Sequence, residues 1–76
     1  MIRAYVLIEV SPGHSRAIVA ALKGRQGVPE VSRVTGQFDI IAVLEADSVD
    51  GVSNIVNDVV HTMEGVVRTT TCIALG

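Results

Sequence analysis

The stretch V-S-R-V-T-G-Q-F-D-I-I-A-V-L-E, Val31 to Glu45, decides the reading of this chain. Two apolar segments flank a short polar turn, Thr35-Gly36-Gln37, with glycine where a hairpin needs a left-handed residue. Val31–Thr35 and Phe38–Ala46 are therefore predicted as paired antiparallel strands. Phe38, one of only two aromatic residues, sits at the turn exit, and Asp39 follows it. A carboxylate at the mouth of a strand that continues Ile40-Ile41-Ala42-Val43-Leu44 is ill suited to a core. Beside exposed turn amides it suits an ammonium group. That combination points to a small-ligand site, for which an amino acid is the simplest occupant. A plain hairpin turn explains the same residues, so the turn alone leaves function undecided.

Working outward, Ala4–Val10 is a first strand, β-branched and apolar, ending at Ser11-Pro12-Gly13. Ser11 is expected to cap a first helix with Pro12 at its first position. Ala17, Ile18, Ala21 and Leu22 recur at helical spacing, and Gly24 marks the end. Gly27-Val28-Pro29-Glu30 is a loop. After the hairpin, Asp47 or Ser48 caps a second helix, with Asp50 in its first turn. Val49, Val52, Ile55, Val56, Val59, Val60 and Met63 form its apolar stripe. Gly65 ends that helix, and Val66–Leu75 is the last strand.

The order β-α-β-β-α-β is the ferredoxin-like α+β arrangement: a four-stranded antiparallel sheet with both helices on one face. The other face of a lone molecule should be polar. Here it is not. Ala4, Val6, Ile8 and Val10 line one side of strand one, Tyr5 and Leu7 the other. In strand three, Ile40, Ala42 and Leu44 oppose Ile41 and Val43. A partner sheet is expected to cover the second face, giving a homodimer with stacked sheets.

Seventy-six residues make one domain, spanning 1–76. A chain this short buries only about 60–65% of its unfolded surface, and its single cysteine, Cys72, offers no internal disulfide. Yet 49% of the residues are hydrophobic, a surplus that fits an interface between copies. The net charge is −2, and the six basic residues form no run. That argues against nucleic-acid binding. No leader pattern is visible and no apolar run approaches the roughly 20 residues of a membrane span. A cytoplasmic location without membrane contact is expected.

No catalytic or metal-binding set stands out, and no cofactor is implied. His14 and His61 fall on the predicted helices, and His61 near a helix C-terminus suits the dipole. Cys72, among Thr70, Thr71 and Ile73, reads as a buried inert thiol. Glu9 and Glu45 lie on the two central strands, where paired carboxylates could do acid–base work, although solvated strand ends explain them better. Ser11-Pro12-Gly13-His14 reads as a tight turn more readily than as an anion site. Thr69, Thr70 and Thr71 suit a strand in any case.

V-x-R-V-T-G-Q-F-D-I, then an amphipathic helix, then G-V-V-R-T-T-T-C-I-A-L, resembles the effector-binding (RAM) domain of the leucine-responsive regulatory protein/AsnC family. The resemblance covers nearly the whole chain. It implies a face-to-face dimer, dimers assembled further into rings, and an amino acid bound near the hairpin turn at the contact between dimers. By matching motif, Gly36, Gln37, Phe38 and Asp39 would form that site, with Thr69 and Thr71 as neighbours from the last strand. Typical family members carry an N-terminal helix-turn-helix DNA reader, whereas this sequence begins at the first strand. The expectation is a stand-alone RAM domain that binds an amino acid, lacks enzymatic activity and does not touch DNA directly. It would modulate transcription or amino-acid metabolism through partners such as full-length Lrp/AsnC regulators. Three alternatives stay open, one of them a purely structural assembly module with no ligand. An ACT-type regulatory module shares the element order and would hold its ligand near Gly13 rather than Asp39. A dimeric α+β-barrel enzyme would need reactive side chains on the sheet.

Overall fold

A computed structural model describes residues 1–76. Its elements are β1 (Ile2–Val10), α1 (Ser15–Leu22), β2 (Glu30–Arg33), β3 (Ile40–Ala46), α2 (Val49–Ile55), which runs on into a π-helical turn (Val56–Val60), and β4 (Val66–Ile73). The strands lie in the order β2-β3-β1-β4, all neighbours antiparallel. This is the expected ferredoxin-like sheet. The alternation in β1 and β3 sets its register: Ala4, Val6 and Ile8 pair with Leu44, Ala42 and Ile40. These six side chains are fully buried beneath the helices, against Ile18, Leu22, Val52, Val56 and Val60. Every buried residue is apolar.

Several boundaries differ from the sequence reading. β1 begins two residues early at Ile2 and β2 one residue early at Glu30, in what was expected to be loop, while β2 ends, β3 begins and β4 ends two residues inside the predicted limits, as fraying ends do. Ser11 does not cap α1. Instead Ser11–His14 forms a turn closed by a 3.3 Å bond from the His14 N–H to the Ser11 carbonyl. Pro12 and Gly13, at φ +87°, occupy its two central positions, the sequence of a type II turn. The helix starts after it, with His14 at the N-cap and no side-chain cap.

The second helix is also not uniform. Ser48 caps it as expected, its Oγ accepting from the Gly51 N–H at 3.1 Å. Past Ile55 the coil widens, and the His61 N–H reaches back to the Val56 carbonyl at 2.9 Å, five residues earlier. The buried residues explain this. Val52, Val56 and Val60 step by four, and in a 3.6-residue helix each such step overshoots a full turn by about 40°. Widening the last turn keeps Val60 over the core with Val56.

The face of the sheet away from the helices carries Tyr5, Leu7, Ile41 and Val43 at its centre. All are half-buried except Tyr5, which is 39% exposed. Two ion pairs stand at its ends: Arg3–Glu45 at 2.7 Å and Arg68–Glu9 at 3.1 Å. The hydrogen bond to Glu45, helped by Tyr5, holds the Arg3 guanidinium above the ordinary arginine value.

Candidate functional site

The hairpin between β2 and β3 closes through the Val34 N–H, which donates to the Asp39 carbonyl at 2.9 Å. Thr35, Gly36, Gln37 and Phe38 form the loop beyond that bond. Gly36, at φ +136°, takes a backbone conformation that side-chain-bearing residues avoid, and the space around it is open. Thr35, Gly36 and Gln37 are exposed, while Phe38 and Asp39 are half-buried.

Asp39 is tied to β1 twice. Its N–H donates to the Ile8 carbonyl at 2.9 Å, and its Oδ2 accepts from the Val10 N–H at 2.9 Å. The second bond matters because β1 pairs irregularly with β4 between Glu9 and Val10. A charged acceptor there holds an amide at the bulge. The other oxygen, Oδ1, makes no bond within the chain, and no buried side-chain oxygen or nitrogen lacks a partner, so it is not sealed from solvent. One carboxylate thus has one oxygen used by the fold and one open.

The remaining candidates lie across the sheet. Thr69 and Thr71 pair with Ile8 and Val6 on edge strand β4. They are therefore two strand spacings, roughly 10 Å, from β3. Both project on the helix side of the sheet; Thr69 is half-buried and Thr71 exposed. Thr69 Oγ1 shares a 2.8 Å hydrogen bond with His61 Nε2. Gly36–Asp39 form one cluster and the threonines another, and a single chain does not bring the two together. The link the sequence did not suggest is Arg68. Its guanidinium lies 5.3 Å from the centre of the Phe38 ring while paired with Glu9. This stack bridges the hairpin to β4 over the end of β1.

Other expectations are corrected by the register. Cys72 is exposed, not buried: it pairs with Tyr5 on the open face. Glu9 and Glu45 are at opposite ends of that face, each with its own arginine, so they form no carboxylate pair. His14 packs at the Ser11–Gly65 contact rather than in any ligand cluster, sharing a 3.1 Å bond with Ser11 Oγ. No group of three or more His, Cys, Asp or Glu side chains is placed to hold a metal ion. No helix is long and apolar enough to cross a membrane.

A βαββαβ layer with one helix-covered face and one open sheet face is the frame in which the hairpin carboxylate lies. The chain belongs to the Lrp/AsnC ligand binding domain family, whose model matches residues 3–76. Among solved structures, a protein of Thermus thermophilus is 33% identical, with a TM-score of 0.94 over 100% of this chain and 95% of that one. AsnC of E. coli matches at 21% identity and a TM-score of 0.91, covering 99% of this chain and 51% of its own. The feast or famine regulatory protein of M. tuberculosis, solved in complex with L-methionine, matches at 21% identity and a TM-score of 0.83. That match covers 100% of this chain and 51% of that protein. The chain thus spans about half the length of these two regulators, and at such identities the likeness is one of fold. No curated protein sequence matches it.

Proposed function

We propose that this chain is a non-catalytic amino-acid-binding module, working as a homodimer through its open sheet face and acting on transcription or metabolism through partners. The observation that carries the reading is the divided Asp39 carboxylate. Oδ2 is anchored by the Val10 N–H, and Oδ1 is left open beside the exposed Gly36 turn. A free amino acid offers an ammonium for Oδ1 and a carboxylate for the turn amides. Membership in a ligand-binding domain family and the methionine complex of a fold relative support it. Gly36, Gln37, Phe38 and Asp39 make the core of the site. Thr69 and Thr71, on the far side of β1, join it only from a second copy.

The test uses Asp39→Asn, because the asparagine oxygen can still accept from Val10 while the charge is lost. A hydrogen bond to a charged group contributes about 1.5–3 kcal/mol. Asp39→Asn should therefore weaken amino-acid binding by roughly ten- to a hundred-fold in calorimetric titration, with little change in melting temperature. L-methionine is the first ligand to try, followed by the other standard amino acids. Equal affinity for wild type and variant would remove Asp39 from the site.

A further inference from the structure

The free cations of this chain gather along one edge. Between Val10 and Phe38 the only acidic residue is Glu30, against Arg16, Lys23, Arg25 and Arg33, and all five are exposed. The ion pairs of the chain are Arg3–Glu45, His14–Glu64 and Arg68–Glu9, so none of these four cations is paired. Arg25 folds back, its Nε donating to the Ala21 carbonyl at 3.2 Å, and lines a cleft with Glu45 and Asp47. Arg16, Lys23 and Arg33 are left free.

The topology brings these three together. α1 packs over β2, while the second helix lies over β3 and β1. On β2, Val31 and Arg33 pair with Ala42 and Ile40, both buried beneath the helices. Arg33 therefore stands on the helix side of the sheet, and Glu30 and Ser32 stand on the open side. β2 runs parallel to β1, since both are antiparallel to β3. α1 returns from the end of β1, so it starts at the Arg33 end of β2 and finishes at the Glu30 end. Arg16 thus shares one end with Arg33. Lys23 stands at the other end, about 10 Å along the helix from Arg16.

β2 is an edge strand. The Val34 N–H donates to the Asp39 carbonyl and the Glu45 N–H to the Gly27 carbonyl, both across to β3 or back from it. By alternation Glu30 and Ser32 turn their backbone groups toward β3, and Val31 and Arg33 turn theirs outward. No strand of the chain lies beyond them.

We infer that this edge receives an extended acidic segment of another protein, which adds to the sheet beside β2. Outward N–H and C=O groups in a row are matched by an extended backbone. Residues directly opposite in such a pairing share a face, so alternate residues of the segment lie on the helix side. A carboxylate opposite Arg33 meets Arg33 and Arg16. One four residues along, about 13 Å away at about 3.3 Å per residue, falls at the Lys23 end. The residues between them lie on the open side beside Glu30, which repels acid there. The signature of the segment is therefore carboxylates on alternate residues. A second copy has no such strand to offer, because no strand of this chain carries more than one carboxylate. A nucleic-acid strand lacks the backbone match and finds no aromatic platform here, since Phe38 packs on Arg68 and Tyr5 lies on β1. The contact gives the partner of the proposed module a chemistry. It needs no ligand at the hairpin, because the Asp39 carboxylate turns toward β1, away from this edge.

The test titrates isotope-labelled protein with a synthetic peptide of about six residues alternating glutamate and threonine, at about 50 mM salt. The amides of Val31 and Arg33 should shift. Binding should weaken roughly tenfold at about 500 mM salt. A peptide with the same glutamates and threonines in two blocks should bind less tightly. Arg16→Glu with Arg33→Glu should cost roughly tenfold in affinity and favour a peptide alternating lysine and threonine instead. Circular dichroism melts check that this variant folds; Arg16→Gln with Arg33→Gln replaces it if it does not, and should also weaken binding. Val31 and Arg33 amides unmoved by the acidic peptide, or equal affinity for wild type and variant, would overturn the inference. So would tighter binding of oligothymidylate than of the peptide, which would make the edge a nucleic-acid surface. A smaller mass of the variant than of wild type by light scattering would make it a contact between copies and overturn the inference as well.

Discussion

Replacing Gly65 with alanine tests how the two turns at one end of the molecule lock together. Gly65 follows the second helix at φ +94°, in the left-handed region. An alanine there costs about 1–2 kcal/mol in backbone strain. Its Cβ would also fall on the imidazole of His14, against Cγ, Cδ2 and Cβ. The ring would have to swing away and give up its 3.1 Å bond to Ser11 Oγ, a further loss of about 0.5–1.5 kcal/mol. The backbone bond from the Ser11 N–H to the Gly65 carbonyl, at 2.8 Å, would remain. The sum is about 2–3 kcal/mol, which for a domain of this size lowers the melting temperature by roughly 10–20 °C. Thermal and urea melts followed by circular dichroism measure it. Adding His14→Ala to Gly65→Ala separates the two parts: His14→Ala alone should cost about 0.5–1.5 kcal/mol, but it should cost nothing further in Gly65→Ala, where that bond is already lost. A Gly65→Ala protein within about 0.5 kcal/mol of wild type would refute the reasoning. So would a double variant that loses the full sum of the two single ones.

Leu7→Asp places a charge at the centre of the open sheet face, beside Ile41 and Val43. An unpaired charge at an interface centre costs several kcal/mol, so light scattering at micromolar concentration should show the proposed sheet-paired dimer lost; an unchanged mass would rule out that face. Cys72 lies on the same face opposite Tyr5. Its alkylation should be slow in concentrated wild-type protein and fast in Leu7→Asp, and equal rates would count against burial of this face between copies.

The fold was legible because its core obeys period two. Alternation in residues 4–10 and 40–44 sorted Ala4, Val6, Ile8, Ile40, Ala42 and Leu44 onto one face, and the register confirms it. Caps and helix-ending glycines were readable where one local interaction decides, as at Ser48. The start of α1 was misplaced because Ser-Pro-Gly serves a helix cap and a type II turn equally well, and only the contact with Gly65 selects the turn. The π-helical turn follows from how three valines meet the sheet, which a helical stripe does not reveal. Cys72 was misread although parity held the signal: Arg68, Thr70 and Cys72 alternate onto one face, and Arg68 already argued for an open one. At the candidate site the turn and its open Gly36 were foreseeable, but the Val10–Asp39 bond joins residues 29 apart in sequence. The Arg68–Phe38 stack likewise joins strands that only the folded sheet brings near.

The central claim is that an amino acid binds at the hairpin carboxylate, and amide chemical-shift mapping of isotope-labelled protein tests it most directly. Titration with L-methionine, then with the other standard amino acids, should shift the amides of Gly36, Gln37, Phe38 and Asp39. The Val10 amide should follow, because it shares the Asp39 carboxylate. Shifts gathered instead at Gly13 and His14 would place the ligand at the first turn, as in an ACT-type module. An amide spectrum unmoved by every amino acid would contradict ligand binding at this site.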